Sequence, residues 1–488
     1  MRRETLSLTT TALVCALLSG CMVGPKYTRP AAPLAPEFKE ATPESFKEMS
    51  GWKVAQPSDQ TLRGKWWELF NDSQLNALEE QVDPANQTLK AAEANFRAAR
   101  ANIRFNRADQ APTLSVNPSV GAVRNSANQP YFNKAIANNG SGSFTLPIDL
   151  GYEVDLWGRI RRSVTAAREQ AQASAADMET ARLSLHAELA IDYFSLRSAD
   201  GQKKLLDETV KAYQDALLLT QDRYDGGAAP LSDVAQARTQ LQSAQVQDTD
   251  FGIQRAEFEH AIAVLIGKPP AQLSIISTPV TVQQPALPDI PGALPSQMLE
   301  RRPDISAEER RMAAANEQIG IAQAAFYPTL SLSASAGFTG TSVLNWFSWP
   351  SRFFAVGPVL SQTIFDHGRR SASSDIVRAQ YDATVADYRQ AALTAFQQVE
   401  DNLAALRLLE SEAQQQHAAT ESALQSLDLF KTRYEGGVDT YLQVITWQTS
   451  ALQNERNDID ITRRRLEASV LLIKALGGGW DVQQLPRL

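Results

Sequence analysis

The feature that most constrains this chain is that its sequence contains the same unit twice. The motif Arg-Tyr-Asp-Gly-Gly at residues 223–227 returns as Arg-Tyr-Glu-Gly-Gly at 433–437, an offset of 210 residues. Pro-Thr-Leu-Ser at 112–115 returns at 328–331, an offset of 216 residues. A long, fixed period identifies a structural unit that occurs more than once. The chain of 488 residues is therefore predicted to hold two copies of one elongated unit of about 210 residues.

Composition and charge exclude several classes of function. A hydrophobic content of 43% with 21% charged residues is typical of a folded protein. The net charge of −8 argues against nucleic-acid binding, which needs a basic surface. The four histidines are far apart in sequence, and none pairs with a cysteine at metal-ligand spacing. No nucleophile motif or phosphate-binding loop occurs, so we expect no enzyme activity, no cofactor and no structural metal.

The first 21 residues resemble an export signal. A basic pair, Arg2 and Arg3, precedes a short apolar run at 6–18, which is too short to span a membrane. The run ends in Leu-Ser-Gly-Cys, which resembles a bacterial lipobox and predicts lipid attachment at Cys21; ordinary signal cleavage nearby is the alternative. Cys15 lies in the removed part, so no internal disulfide is expected. No other stretch is apolar enough for a transmembrane helix, which leaves a β-barrel as the way across a membrane.

Four segments have the two-residue period of β-strands. The clearest is 143–157, and the others are 114–120, 330–338 and 354–365, the last interrupted by Pro358 and Gln362. Such strands occur in half-buried soluble sheets and in outer-membrane barrels. The export signal favours the barrel, as do three carboxylates on the polar face of the clearest strand, which need a water-filled lumen: Asp149, Glu153 and Asp155.

The predicted helices are unusually long. Residues 159–225 contain only one glycine and no proline, and 369–435 contain neither. At 1.5 Å per residue each would span roughly 100 Å, which implies coiled-coil packing. Shorter helices are predicted at 230–266 and 440–476, and each unit opens with a helix, at 86–107 and 303–325. In the second unit, a seam repeats every seven residues at Val385, Ala392, Val399, Leu406, Ala413, Thr420, Leu427 and Tyr434.

The turns between long and short helices are defined by two glycine pairs, Gly226 with Gly227 and Gly436 with Gly437. Glycine pairs of this kind suit the left-handed conformation that ends many helices. Asp439 is predicted to cap the start of the second short helix, and Pro230 to be the first residue of the other.

The strand count predicts an oligomer. Four strands cannot close a barrel, and open sheet edges do not occur in lipid. Eight strands, from two copies, fill their interior with side chains, whereas twelve strands, from three copies, leave a lumen. We therefore expect an α+β membrane protein in which a trimer forms a twelve-stranded transmembrane β-barrel, four strands per chain, continued by a long periplasmic coiled-coil barrel of helices.

The repeat and the composition also predict boundaries along the chain. In order these are a signal peptide at 1–20, a lipid-anchored extended segment at 21–66, the first unit at 67–276, a linker at 277–295, the second unit at 296–477 and a C-terminal tail at 478–488.

Several motifs resemble those of one family over nearly the whole mature chain. They are Cys21 followed by Gly-Pro-Lys-Tyr at 24–27, Trp-Trp-Glu-Leu-Phe at 66–70, Asp-Leu-Trp-Gly-Arg at 155–159, the doubled Arg-Tyr-(Asp/Glu)-Gly-Gly turns, and Leu-Gly-Gly-Gly-Trp at 476–480. The chain resembles the TolC-like outer membrane factors, in the lipoprotein branch that serves resistance–nodulation–division efflux pumps.

The resemblance implies a fold and a function. It implies a homotrimer with a twelve-stranded barrel, a twelve-helix periplasmic tunnel and a mixed equatorial region. It implies a protein anchored in the outer membrane that extends into the periplasm. Drugs or other small toxic compounds would pass through it passively, with energy supplied by an inner-membrane transporter through a periplasmic adaptor.

The resemblance also implies a gate at the helix tips, where the family narrows its tunnel with rings of side chains. Leu442 matches a hydrophobic ring and Asp233 a carboxylate position, whereas Thr446 stands where a second carboxylate is usual. That difference weakens any expectation of strong cation selectivity. Two alternatives remain open, in which Asp233 stabilises the first helical turn and Leu442 packs between subunits. Aromatic residues between two strands could form a membrane girdle or simply pack in a loop: Trp346, Phe347 and Trp349.

Three other functions compete with drug efflux. Type I protein secretion and metal-ion efflux would use the same channel architecture. A periplasmic adaptor lipoprotein would carry one helical hairpin rather than two duplicated ones.

Overall fold

The computed structural model describes residues 22–32, 38–41, 64–124, 126, 128, 140–280, 300–480 and 482–488. The predicted signal peptide, the lipidation site Cys21 and most of the predicted linker lie outside the described residues. Eight α-helices occur in the described part: α1 Ser73–Glu79, α2 Val82–Ala85, α3 Gln87–Ala108, α4 Arg159–Asp225, α5 Leu231–Leu265, α6 Pro303–Ala324, α7 Arg369–Glu435 and α8 Tyr441–Ala475. The strands there are β1 Thr113–Val116, β2 Ser119–Val123, β3 Ser141–Val154, β4 Thr329–Gly340 and β5 Arg352–Ser361.

The two long helices form as the sequence predicts. α4 and α7 each run for 67 residues, and their ends coincide with the predicted ones. The short helices α5 and α8, of 35 residues each, begin one residue later and end one residue earlier than predicted. All eight positions of the predicted heptad seam are buried or half-buried. The seam therefore packs along the length of α7, as a coiled coil requires.

The strands form one antiparallel sheet in the order β1, β3, β4, β5, with β2 also paired to β3. The prediction of a continuous first strand is wrong, because the strand is divided at Asn117 and Pro118. Proline has no amide hydrogen to donate to a ladder, so pairing stops there and resumes at Ser119. The sheet still has four positions, since β1 and β2 lie end to end beside β3.

The three carboxylates at the end of β3 have local partners. Asp149 accepts a hydrogen bond of 2.6 Å from the Ser335 hydroxyl on β4. Glu153 binds the Arg159 guanidinium through two hydrogen bonds of 3.0 and 2.8 Å. Asp155 lies beyond the end of β3 and accepts the amides of Ile160 and Arg161 in the first turn of α4. These contacts satisfy the charges locally, so the carboxylates are not independent evidence for a water-filled lumen.

The main core lies where irregular segments pack against the long helices. Trp66 and Trp67 are buried, and the Trp67 ring stacks on His186 of α4 with centroids 4.5 Å apart. The His186 Nδ1 atom lies 2.6 Å from the Glu79 carboxylate, and both side chains are buried. Burial raises the pKa of Glu79 to about 7. His186 therefore anchors the Trp66–Phe70 segment and α1 to the first long helix.

The helices form a layer with two open sides. Near the sheet, α4 packs between α3 and α6, and α6 also packs on α7. Farther from the sheet, the order is α7, α8, α4, α5. In the described residues, α7 is therefore the outermost helix on one side, and α3 and α5 are outermost on the other. None of the described helices is both long and apolar enough to cross a membrane.

Candidate functional site

The two hairpin tips farthest from the sheet have the same turn. At the end of α4, the amide of Gly227 donates to the Tyr224 carbonyl, and the amide of Ala228 donates to the Arg223 carbonyl. At the end of α7, Gly437 and Val438 repeat both bonds. This pair of bonds is the Schellman motif, which satisfies carbonyls that a helix end leaves free. The two copies of the repeat therefore end in equivalent caps.

The predicted turns need correction at the glycine pairs and at Pro230. Only Gly227 and Gly437 are left-handed, each with φ of 74°, whereas Gly226 and Gly436 are right-handed with φ of −79° and −74°. Pro230 is the residue before α5, and its extended ψ of 155° keeps it outside the helix.

Asp439 does not cap α8 as predicted, because Thr440 occupies the capping position. The Asp439 carboxylate instead accepts a hydrogen bond of 2.9 Å from Arg433 Nε. The ion pair holds this side chain across the turn, where it lies too early in the chain to cap the new helix.

Replacing Gly437 by alanine should loosen the tip more than replacing Gly436. Alanine is strained by about 1 kcal/mol in the left-handed conformation of Gly437, although nothing lies within 4 Å of the added carbon. Alanine at Gly436 keeps a right-handed backbone and an ordinary contact at 3.5 Å with the Thr432 carbonyl. Hydrogen exchange of the amides at 434–438 should be about fivefold faster in Gly437→Ala only. Equal exchange in the two variants would contradict the assignment.

Arg223 and Arg433 occupy equivalent places in the repeat but make different contacts. Arg433 pairs with Asp439 six residues later. The residue six positions after Arg223 is Ala229, so the first repeat has no equivalent of Asp439. Its guanidinium reaches the other hairpin, where it donates to the Tyr434 carbonyl at 2.9 Å and lies 4.5 Å from the centre of the Tyr434 ring. This contact, which sequence reasoning missed, ties the two tips together.

A small aromatic core supports the joined tips. Tyr434 and Tyr441 are buried with ring centroids 5.3 Å apart, and they pack with Ala237, Val444 and Ile445. Burial is the main cause that raises the pKa of Tyr441 to about 12, and the charge of Asp233 adds to it. Tyr441 is therefore neutral at physiological pH, and this cluster holds the starts of α5 and α8 side by side.

The predicted gate residues lie around this core. Leu442 is 56% exposed in the protomer, and Thr446 is exposed one turn later on the same face of α8. The Thr446 hydroxyl donates to the Leu442 carbonyl at 2.9 Å, so it is satisfied within the helix. Asp233 is half-buried in the first turn of α5. No hydrogen bond or ion pair in the described part of the chain joins Asp233 to Leu442 or Thr446, so a shared gate stays a prediction.

The chain just after Cys21 is held where strand meets helix. The amide of Val23 donates to the Trp157 carbonyl at 3.1 Å, and the buried Arg162 of α4 donates to the Val23 carbonyl at 2.8 Å. Trp157 stacks on Tyr327 with centroids 4.7 Å apart. These contacts hold Val23 at the end of the sheet from which the long helices leave.

The aromatic residues between β4 and β5 have different environments. Trp346 is half-buried and packs on Phe144 and Phe347 at centroid distances of 5.5 and 4.9 Å. Phe347 and Trp349 are 62% and 74% exposed. Trp346 therefore has the packing role, while the exposed pair stays a candidate for a membrane girdle. Within the described residues, no group of three or more acids, histidines or cysteines is arranged to hold a metal ion.

Comparison with known proteins identifies the family. The family model for outer membrane efflux proteins matches residues 78–268 and 294–478. The chain belongs to the outer membrane efflux protein family. The protein is thus an outer membrane channel component for efflux and not an enzyme, and the predicted family, class of function and location are confirmed.

Individual relatives match this outer membrane efflux protein along nearly its full length. Outer membrane protein OprJ of Pseudomonas aeruginosa is 34% identical over 472 residues, which cover 96% of this chain and 95% of OprJ. The probable efflux pump outer membrane protein TtgC of Pseudomonas putida is 32% identical, covering 99% of this chain and 97% of TtgC.

Solved structures of outer membrane channels have the same fold as this chain. The outer-membrane channel OprN has a TM-score of 0.84 at 27% identity, covering 94% of this chain and all of the OprN chain. The open MtrE outer membrane channel of Neisseria gonorrhoeae has a TM-score of 0.81 at 26% identity, covering 95% of this chain and 99% of the MtrE chain. These two matches confirm the predicted TolC-like fold.

Proposed function

We propose that three copies of this chain close into one conduit that conducts drugs or other small toxic compounds out of the cell. A periplasmic adaptor and an inner-membrane resistance–nodulation–division transporter would deliver the solute and supply the energy. The conduit itself would be passive, and a lipid on Cys21 would anchor each protomer in the outer membrane.

The observation that carries this proposal concerns the free edges of the protomer. The sheet and the helical layer each have two free edges, and these lie on the same two sides of the protomer. Among the described residues, β1 with β2 is free at one edge of the sheet and β5 is free at the other. The chain runs from α3 into β1 and from β5 into α7, which are also the outermost elements of the helical layer. Head-to-tail association of two complementary free edges gives a closed ring when the rotation between neighbouring copies closes.

The exposed side chains of the edge strands support a place in lipid. On β5, Phe354, Val356 and Leu360 are 82%, 78% and 67% exposed. On the opposite edge, Leu114 and Val120 are 68% and 66% exposed. Apolar side chains in this number are unusual on a water-facing surface but fit the outside of a membrane barrel. Three copies would give twelve strands, and the family model's two separate matches support two repeated units.

The names of relatives favour small solutes over proteins. Curated relatives include an antibiotic efflux pump protein, ArpC, and a toluene efflux pump protein, a TtgC from another strain, each 32% identical over 484 residues. Deleting the gene should lower the drug and solvent concentrations that stop growth, and the restored gene should return them. Unchanged susceptibility together with lost export of a protein would favour type I secretion instead.

Lipid attachment is tested by replacing Cys21 with serine. Labelled fatty acid should appear in the wild type and disappear from Cys21→Ser, because the predicted attachment atom is the Cys21 sulfur. We expect some efflux activity to remain, since Arg162 and Trp157 hold the following residues without the lipid. Labelling that persists in Cys21→Ser would contradict the assignment.

A further inference from the structure

A cavity of about 380 Å³ lies in the helical wall between α4, α5 and α8. Its floor is formed by α4, where Ser195 and Gln202 are buried. One side is lined by Phe251 and Phe258 of α5, and the other by polar residues of α8 that include Arg456. Its size falls in the range of cavities that hold small organic molecules.

The cavity opens on the face of α4 that the connecting segments leave free. Arg197 donates to the Thr278 carbonyl at 2.9 Å and binds Asp72 at 2.5 Å, so those segments cover its side of the helix. Residues two apart on a helix point to nearly opposite sides, because each residue turns by about 100°. Ser195 precedes Arg197 by two residues and therefore points away from the covered face.

The uncovered face is the inner one if the proposed function is correct, and the inference rests on that function. A closed tube has one face toward its lumen and one toward the periplasm. The segments around Asp72 and Thr278, present in three copies, would fill the lumen if they lay inside. The cavity therefore faces the solute path.

Arg456 is the charged group of this cavity that lacks a countercharge. Its guanidinium donates to the amide oxygens of Gln202 and Gln247 at 3.2 and 2.8 Å, and it lies 5.2 Å from the centre of the Phe251 ring. In the described residues no carboxylate lies within ion-pair distance of it, and Asp250 acts only from farther away. Burial lowers the pKa of Arg456 from its usual value.

A second arginine of the cavity, Arg463, differs from Arg456 because it has acidic partners. Arg463, on the same side of the cavity, forms ion pairs with Asp460 and Glu467. A half-buried cation with only neutral partners gains more from an incoming anion than a paired one does.

We propose that this cavity binds amphiphilic organic anions in transit. The carboxylate or sulfonate of the solute would accept hydrogen bonds from Arg456, and its aromatic or apolar body would lie against Phe251 and Phe258. We expect this binding to be weak, because a conduit must release the solutes that enter it.

The test uses the assembled protein in an amphipathic polymer and equilibrium dialysis with 2-naphthalenesulfonate. We expect one saturable site per chain and about tenfold weaker binding of the cation 2-naphthylmethylammonium. Arg456→Gln should weaken anion binding about tenfold, because it removes a charge-assisted hydrogen bond, and Arg456→Lys should keep part of it. Arg464→Gln is the matched control, since Arg464 lies two turns further along α8 and pairs with Glu412 at 3.0 Å.

A second variant tests the inference independently, in case Arg456→Gln fails to fold. Gln453 is exposed at the rim of the cavity, one turn before Arg456. Gln453→Glu should weaken anion binding through repulsion while the assembly on a native gel stays unchanged. Equal binding of the anion and the cation, absence of a saturable site, or wild-type affinity in both variants would overturn the inference. Ionic conductance of the same preparation tests the proposed function separately, so a conducting channel without the site refutes the inference alone.

Discussion

Replacing Leu442 by serine should raise the single-channel conductance several-fold and let large antibiotics enter cells that carry the variant. The Leu442 side chain is 56% exposed in the protomer, at the tip where both hairpins end. In a closed trimer, three such side chains meeting on the axis would form a dry plug that hydrated solutes cross slowly. Serine removes the apolar surface and admits water. Conductance in planar bilayers and antibiotic entry measure the two consequences.

Val438→Ser is the matched control for this prediction. Val438 lies in the same turn region and is 72% exposed, so the substitution removes a comparable apolar side chain outside α8. We expect its conductance to match that of the wild type. If Leu442→Ser also conducts like the wild type and admits no antibiotic, the gate lies elsewhere and Leu442 packs between subunits.

Replacing Arg162 by methionine should destabilise the protein by about 3–5 kcal/mol, the usual cost of removing one partner of a buried ion pair. The Arg162 and Glu317 side chains are only 3% and 13% exposed, with Nη1 and Oε2 2.6 Å apart. The substitution leaves Glu317 without its countercharge. It also removes the hydrogen bond from Arg162 to the Val23 carbonyl, which holds Val23 against α4. Thermal unfolding followed by tryptophan fluorescence should show the loss.

Two further variants separate charge from packing. Arg161→Met, at the preceding residue, breaks an ion pair whose arginine is 42% exposed, and it should cost less than about 1 kcal/mol. The double variant Arg162→Met with Glu317→Leu should recover part of the lost stability, because both buried charges are gone. If the double variant is less stable than Arg162→Met alone, the unpaired carboxylate is not the cause.

Local patterns in the sequence predicted most of the fold. The long helices were recoverable because both lack proline, and α7 also carries a heptad seam from Val385 to Tyr434. The strands were recoverable from their alternation, and the missed break at Pro118 has a local cause, because proline has no amide hydrogen for the ladder. The exact starts of α5 and α8 were missed by one residue, because Pro230 and Asp439 could each take either of two roles at a helix start.

The site was less predictable because its contacts join distant parts of the chain. Arg223 binds a carbonyl 211 positions later, and nothing in its local sequence names that partner. Its one local clue is the alanine at 229, which stands where the other repeat has Asp439. Arg456 of α8 donates a hydrogen bond to Gln202 of α4, and its lack of a countercharge is visible only once those helices are packed. Whether Leu442 forms a ring depends on copies of the chain, which one sequence cannot position.

The proposed function depends most directly on the closing of one conduit by three chains. Native mass spectrometry of the purified protein, released from its detergent in the gas phase, measures this directly. The proposed trimer predicts a single species with the mass of three mature chains, and the same preparation should conduct ions in planar bilayers. A stable monomer that conducts ions would contradict it, because four strands with two free edges cannot enclose a pore in lipid.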